Sequence, residues 1–236
     1  MVTPAARMAG VRLVLTNDDG IDAAGLAALR VAAAGLGEVV VVAPASEWSS
    51  TGHQVTTGRG FRVEPRGADQ IVHGTPADCV RVALDHLVPA ADWVLSGINH
   101  GGNLGADVWH SGTVAAVREA ALHGKPGIAF SHYLRRGVAV DWTRAAAWVA
   151  EILPGLIADG LAAGRYLVVN LPHAGPGAAR PDVVRCGLDP SPLPLRFHRD
   201  GDTVRYAGDY HQRARRPGLD VDTCFAGRIS VVELSV

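Results

Sequence analysis

Five short runs of mostly apolar positions punctuate the first 172 residues of the chain: VRLVL from Val11, EVVVVAP from Glu38, ADWVLSG from Ala91, KPGIAFS from Lys125 and YLVVNLP from Tyr166. Runs of this length without polar alternation read as strands buried on both faces, the habit of parallel sheets. Between them, apolar positions recur every three or four residues. This spacing predicts helices over 22–34 with Asp22 as N-cap, over 77–87, over 113–123 and over 143 to about 161, the last kinked or split at Pro154. Strand and helix in alternation predict an α/β fold, a doubly wound and mostly parallel sheet with helices on both faces. The segment from Arg59 to Val72 holds only short β-like pieces, and beyond Pro172 the chain turns rich in Pro, Gly and Arg.

The length of 236 residues suits one domain with a sizeable core, so residues 1–236 are expected to form a single unit. Residues 1–9 are expected to be a disordered leader, and 173–236 a diverged, small β-rich C-terminal extension. Lys and Arg number 22 against 23 Asp and Glu, which leaves no basic field to attract polymeric nucleic acid. The three cysteines, Cys79, Cys186 and Cys224, are widely spaced and odd in number, against both a disulfide framework and a thiolate zinc site. A reducing cytoplasm is the expected compartment, and no apolar run is long enough for a membrane span.

The chemistry gathers where the predicted strands end. The first strand runs into Thr16-Asn17-Asp18-Asp19-Gly20, two adjacent carboxylates at the sheet edge where open α/β folds bind ligands. Both can serve one site only if the chain is already turning there, and Gly20 eases such a turn. Asn, Asp and Gly are also ordinary turn formers, so these residues taken alone leave both readings open. The loops after the next strands carry Ser49 and Ser50 in APASEWSSTGH, and Asn99 in SGINHGGNLGADVWHSGT. Carboxylate, hydroxyl and amide oxygens suit Mg²⁺, Mn²⁺ or Ca²⁺ better than zinc. His53, His100 and His110 lie nearby without metal-ligand spacing and read as surface or supporting groups.

The loop from Ser96 to Thr113 is long and glycine-rich, and it ends where Ser111-Gly112-Thr113 open a helix. Free N–H groups and the positive dipole end at such a start favour a phosphate, although Ser or Thr there also serves as a plain cap. Neither a Walker A loop nor a GxGxxG fingerprint is present. In HGTPADCV the order Thr75, Pro76, Asp78 reads as a capping box, a structural device, with contact to a substrate at the Gly74-Thr75 turn as the alternative. Trp109 is either a stacking surface for a base or a local packing anchor. An oxygen-ligated metal beside an anion-binding helix start points to metal-assisted phosphoester hydrolysis, with one Asp orienting the attacking water or taking its proton.

At LTNDDGIDAAGL, VVAPASEWSSTGH, GTPADCV, VLSGINHGGNLGADVWHSGTVAA and GIAFS the chain resembles the SurE family, the survival-protein-E phosphatases that act as 5'/3'-nucleotidases. The match is collinear over roughly residues 11–131, with a weaker echo in VVNLP and DVDTCFAGRISVVEL. The resemblance implies a Rossmann-like three-layer α/β/α sandwich, a divalent cation (Mg²⁺ or Mn²⁺), and hydrolysis of nucleoside 5'- or 3'-monophosphates, small-molecule substrates, to nucleoside and phosphate. By motif, the metal ligands are Asp18, Asp19, Ser49 and Asn99, with Asp18 and Asp19 catalytic, and Asn17, Asn103, Ser111, Gly112 and Thr113 surround the phosphate. Trp48 stands where the family usually has Arg or Gln, and His100 where a longer polar or basic side chain is common; the family's usual Thr-Pro-Leu beyond the last strand is not found. These departures keep two alternatives in view, a specialised phosphatase of a biosynthetic pathway and a non-catalytic nucleotide-binding module. The family also implies a homodimer or homotetramer.

Overall fold

The computed structural model describes residues 10–175 and 178–236; the expected leader over 1–9 lies outside the described residues. The five apolar runs become β1 (Val11–Thr16), β2 (Gly37–Pro44), β5 (Trp93–His100), β6 (Gly127–His132) and β7 (Arg165–Leu171), all mutually parallel where they pair. Between β2 and β5 lie β3 (Val63–Arg66) and β4 (Asp69–Val72), which extend one edge of the sheet. On the other edge β11 (Ile229–Ser235) pairs antiparallel with β7 and carries β8 (Val183–Arg185) beyond it. The full order is β3-β4-β2-β1-β5-β6-β7-β11-β8. The region expected as a small β-rich C-terminal extension thus supplies two strands of the main sheet as well. Among the described residues, only the hairpin of β9 (Phe197–Asp200) and β10 (Thr203–Tyr206) forms a separate small sheet.

Alternation within each strand decides which helices cover which face. Leu13 and Leu15 of β1 pack beneath α1 (Ala24–Ala33) and α4 (Trp142–Asp159), whereas Val14 faces α2 (Pro76–Val82) and α3 (Gly112–Leu122). Leu95 and Phe130 continue the first layer, and Val94 with Val80 the second. Each such side chain, fully buried, contributes roughly 1.5–3 kcal/mol.

Two helix expectations are corrected. The first helix begins at Ala24 with Ala23 at the cap position and no side-chain cap bond. Asp22 instead pairs with Arg66 at 2.6 Å, because Ile21 N–H donates to the Pro44 carbonyl and keeps the chain off the helix until it has passed β2. The second correction concerns the split expected at Pro154, since α4 runs on through that residue. The carbonyl its missing N–H would have bonded belongs to Ala150, which faces water on the exposed side of the helix, where solvent satisfies it.

The capping box at α2 forms as the spacing predicts. Thr75 Oγ1 accepts from Asp78 N–H at 3.1 Å, Asp78 Oδ2 accepts from Thr75 N–H at 3.0 Å, and the Thr75 hydroxyl donates to the Gln54 carbonyl at 2.7 Å. Asp78 also accepts two bonds from Thr56, so the box fastens the Gln54–Thr56 loop to the helix. Thr75→Ala is expected to lower stability by about 1–2 kcal/mol. Urea unfolding checks this, as a lower midpoint with an unchanged slope.

Candidate active site

The chain leaves β1 toward β2 on one side and returns on the other side of β1 as β5, so the order reverses between the carboxyl ends of β1 and β5. Open α/β sheets place ligands at such a switch point. Asp18 and Asp19 follow β1, and Asn99 sits at the end of β5.

The turn after β1 is braced by Asn17, whose side-chain amide donates to the Gly20 carbonyl at 2.9 Å while its oxygen accepts from Gly20 N–H at 3.2 Å. Gly20 has φ +101°, a conformation that favours glycine. The turn is also clamped from across the cleft, Trp48 N–H donating to the Asp18 carbonyl at 2.7 Å. This geometry sends the two neighbouring carboxylates into one site. Asp18 is buried, with 4% of its surface exposed, and its Oδ1 accepts the Thr113 hydroxyl from the first turn of α3. Asp19 stands nearer solvent and accepts His100 N–H at 3.1 Å.

Burial pushes the Asp18 carboxyl up to about 6, the Thr113 hydroxyl opposes this, and the Asp19 charge adds to the rise. Burial also raises Asp19, against the lowering effects of the His100 N–H and of the His100 charge, with Glu47 adding a smaller upward push. Among the described residues no Arg, Lys or His nitrogen forms an ion pair within 4 Å with either carboxylate, and the His100 charge acts on Asp19 from farther away. Two adjacent acids without an ion-pair partner, one of them buried, fit a bound divalent cation, and the oxygen donors around them suit a hard one.

Asn99 reaches this position through an irregularity. The β5–β6 register shifts between Ser96 and Asn99, and Gly97, at φ +128°, passes so close to the Phe130 carbonyl that a Cβ there would lie 2.2 Å from its oxygen. Such bulges re-aim side chains at strand ends. The Asn99 amide nitrogen donates to the Gly101 carbonyl at 2.9 Å, leaving its oxygen for a ligand. Ser49 lies on the opposite loop, its hydroxyl donating to Glu47.

A cavity of about 500 Å³ takes in Asp18, Asp19, Ser49, Asn99, Asn103 and Ser111 among its walls. The four residues assigned by motif as metal ligands thus line one space, together with Asn103 and Ser111 from the expected phosphate set. The other three phosphate residues lie behind the wall. Asn17 is buried and spends its amide on the turn, Thr113 spends its hydroxyl on Asp18, and Gly112 is small because a Cβ would meet the Asp18 Cβ at 2.8 Å. Ser111 caps α3, accepting Val114 N–H at 3.0 Å. Thr75 does not reach the cavity, and Trp109, 57% exposed beneath the Arg118 guanidinium, stays outside it.

Sequence reasoning missed Glu47, Asp107, Leu193 and Tyr210 as cavity residues. Asp107 stands inside the glycine-rich loop, where a carboxylate among glycines was a usable signal. Leu193 and Tyr210 come from the Pro-rich segment, whose position across the cavity no local pattern encodes.

The family model for survival protein SurE matches residues 13–188, three quarters of the chain. This chain belongs to the SurE family. A relative from Nostoc sp. is 48% identical over 225 residues, covering 95% of this chain and 99% of that one. The 5'-nucleotidase SurE of Paramagnetospirillum magneticum is 36% identical over 98% of this chain and 92% of its own. Among solved structures, the SurE protein from Aquifex aeolicus superposes with a TM-score of 0.82 at 31% identity, covering 95% of this chain and 93% of that one. The SurE relationship extends well past the motifs around residues 11–131 and takes in the C-terminal strands.

Proposed function

We infer that this chain is a hydrolase of phosphoric monoesters, a metal-dependent nucleotidase that releases phosphate from nucleoside 5'- or 3'-monophosphates. The observation that carries this reading is the buried Asp18 beside Asp19, without an ion pair to either among the described residues, in a cavity that also takes in the start of α3. The SurE relatives named 5'-nucleotidase support the substrate class.

Asp18, Asp19, Ser49 and Asn99 would hold Mg²⁺ or Mn²⁺. When bound, the cation supplies Lewis-acid polarisation of the phosphoryl oxygens and offsets their charge. The Thr113 hydroxyl fixes the orientation of Asp18. Asp19, the more accessible carboxylate, orients the attacking water and takes its proton. Ser111, Asn103 and the α3 start receive the phosphate, where the helix N-terminus favours an anion. Asn103 is held for this by its amide bond to the Ser131 hydroxyl at 2.7 Å and by Asn170, which bonds its backbone at both N–H and C=O.

Free Cys79, Cys186 and Cys224 support a reducing, cytoplasmic setting, and among the described residues no helix is long and apolar enough to cross a membrane. Leu195, Phe197, Val204 and Tyr206 on and beside the β9–β10 hairpin are exposed, which supports a homodimer or homotetramer.

The test is phosphate release from 5'- and 3'-nucleotides with Mn²⁺ or Mg²⁺, against EDTA. Release is expected only with the metal. Release that survives EDTA overturns the metal assignment, and silence with nucleotide still bound favours a binding module.

A further inference from the structure

One carboxylate on the cavity wall takes no part in the metal centre. Asp107 lies in the 3₁₀ turn Gly105–Trp109, and its Oδ2 alone accepts every bond the protein makes to its side chain: Tyr210 O–H at 2.7 Å, Arg213 Nη1 at 2.7 Å and Leu104 N–H at 3.3 Å. Oδ1 accepts none among the described residues, and Asp107 lines the cavity. The carboxylate cannot swing away, because the Arg213 side chain that pairs with it is wholly buried, its Nε and Nη2 without a partner among the described residues. Arg213 lies 5.1 Å from the Tyr210 ring centre, and Tyr133 stacks near the same ring at 6.5 Å. The backbone beneath is equally fixed, since buried Asp220 accepts both Gly105 N–H and Asp189 N–H at 2.7 Å. A cavity of about 500 Å³ is also larger than a phosphate alone requires and falls in the range of small-molecule sites.

We propose that Asp107 selects the alcohol half of the substrate by accepting hydrogen bonds from sugar hydroxyls at Oδ1, so that the preferred leaving group is a ribonucleoside. This rests on the phosphomonoesterase reading of the same cavity. A rigid carboxylate whose inner oxygen is saturated and whose other oxygen takes no bond from the protein recognises donors, and the 2',3'-hydroxyl pair is the donor set that every ribonucleoside 5'-monophosphate carries whatever its base. A ligand that lacks them leaves a desolvated carboxylate oxygen unpaired, which is why sites built to bond a hydroxyl reject analogues without it.

The test compares matched ribo- and 2',3'-dideoxy pairs with a purine and a pyrimidine, both as nucleosides in calorimetric binding and as 5'-monophosphates in turnover with Mn²⁺. Each dideoxy member is expected to bind and react at least tenfold less well, with the loss in KM. In Asp107→Asn, Tyr210 and Arg213 both need an oxygen acceptor, so the amide nitrogen faces the cavity, the charge-assisted bonds from the hydroxyls are lost and the ribo/dideoxy ratio falls severalfold. Equal handling of the two members by the native protein, or a ratio that persists in a folded Asp107→Asn variant, overturns the proposal. Should the variant fail to fold, the native comparison decides. Discrimination in binding without phosphate release would leave Asp107 as the sugar reader and reject the phosphatase reading, so the two failures are distinguishable.

Discussion

Asp18→Asn is expected to abolish metal-dependent phosphate release, by roughly a thousandfold or more, while making the metal-free protein more stable at neutral pH. The loss of activity follows from removing a charged ligand and one of two carboxylates on which the site depends, several kcal/mol of transition-state stabilisation. The gain in stability follows from the Asp18 carboxyl, pushed up to about 6 in the folded chain by burial. In the unfolded chain it titrates near 4. Between these values the folded state binds more protons than the unfolded state, so this group's contribution falls as pH rises from about 4 to 6, and its full cost remains above that. That cost is about 3 kcal/mol at pH 7.5. Asparagine carries no charge, and its oxygen still accepts the Thr113 hydroxyl. The same sign makes metal stabilisation pH-dependent. Mn²⁺ should raise the unfolding temperature strongly above pH 6 and little below pH 5, where protons hold Asp18, and in Asp18→Asn the effect should be small throughout. Thermal unfolding at several pH values with and without Mn²⁺ reads all of this. A variant that keeps its metal-dependent turnover, or is no more stable than the native chain at pH 7.5 without metal, rejects the account of Asp18.

Gly25→Ala is expected to cost about 3–5 kcal/mol, or to prevent folding outright. Gly25 lies in α1 where that helix crosses β5, and a Cβ there would stand 1.8 Å from the Ile98 carbonyl oxygen, 2.9 Å from its carbon and 3.1 Å from the Trp142 ring. Two of these are backbone atoms, which cannot turn aside as a flexible side chain does. Relief requires α1 to move off the sheet or the irregular end of β5 to shift, and either breaks contacts in a core that includes Leu26, Leu29 and Ile98. Folded domains hold a margin of only about 5–15 kcal/mol. Because Ile98 adjoins Asn99, any surviving folded protein should also bind Mn²⁺ more weakly. Gly155→Ala is the control, since Gly155 lies on the exposed side of α4 with open space at its Cβ position. It should be neutral or gain up to about 1 kcal/mol. Equal urea midpoints for the two variants would reject the close-approach argument.

The order of strands and helices up to β7, and the oxygen donors at their ends, were determined by the sequence itself. Apolar runs such as Glu38–Pro44 and capping sets such as Thr75-Pro76-Asp78 act over a few residues, so their physics is complete within a short window. The same locality placed Asp18, Asp19 and Ser49 in loops after strands, where a doubly wound sheet brings them to one edge, whereas Asn99, expected in such a loop, is still within the irregular end of β5. Tertiary structure alone decided which of their neighbours face the cavity. Nothing local shows that Asn17 and Thr113 spend their polar groups on Gly20 and Asp18, because those partners are chosen by the exact turn after β1 and the approach of α3. Nor does the sequence around Pro154 show that water is available to the Ala150 carbonyl, since that depends on which side of α4 the sheet covers. The segment beyond Pro172 was least legible for the same reason. Its strands β8 and β11 take their meaning from β7, and Tyr210 meets Asp107 across more than a hundred residues. Contacts of that separation arise from packing rather than from any periodicity in the chain, so only the folded structure could place them.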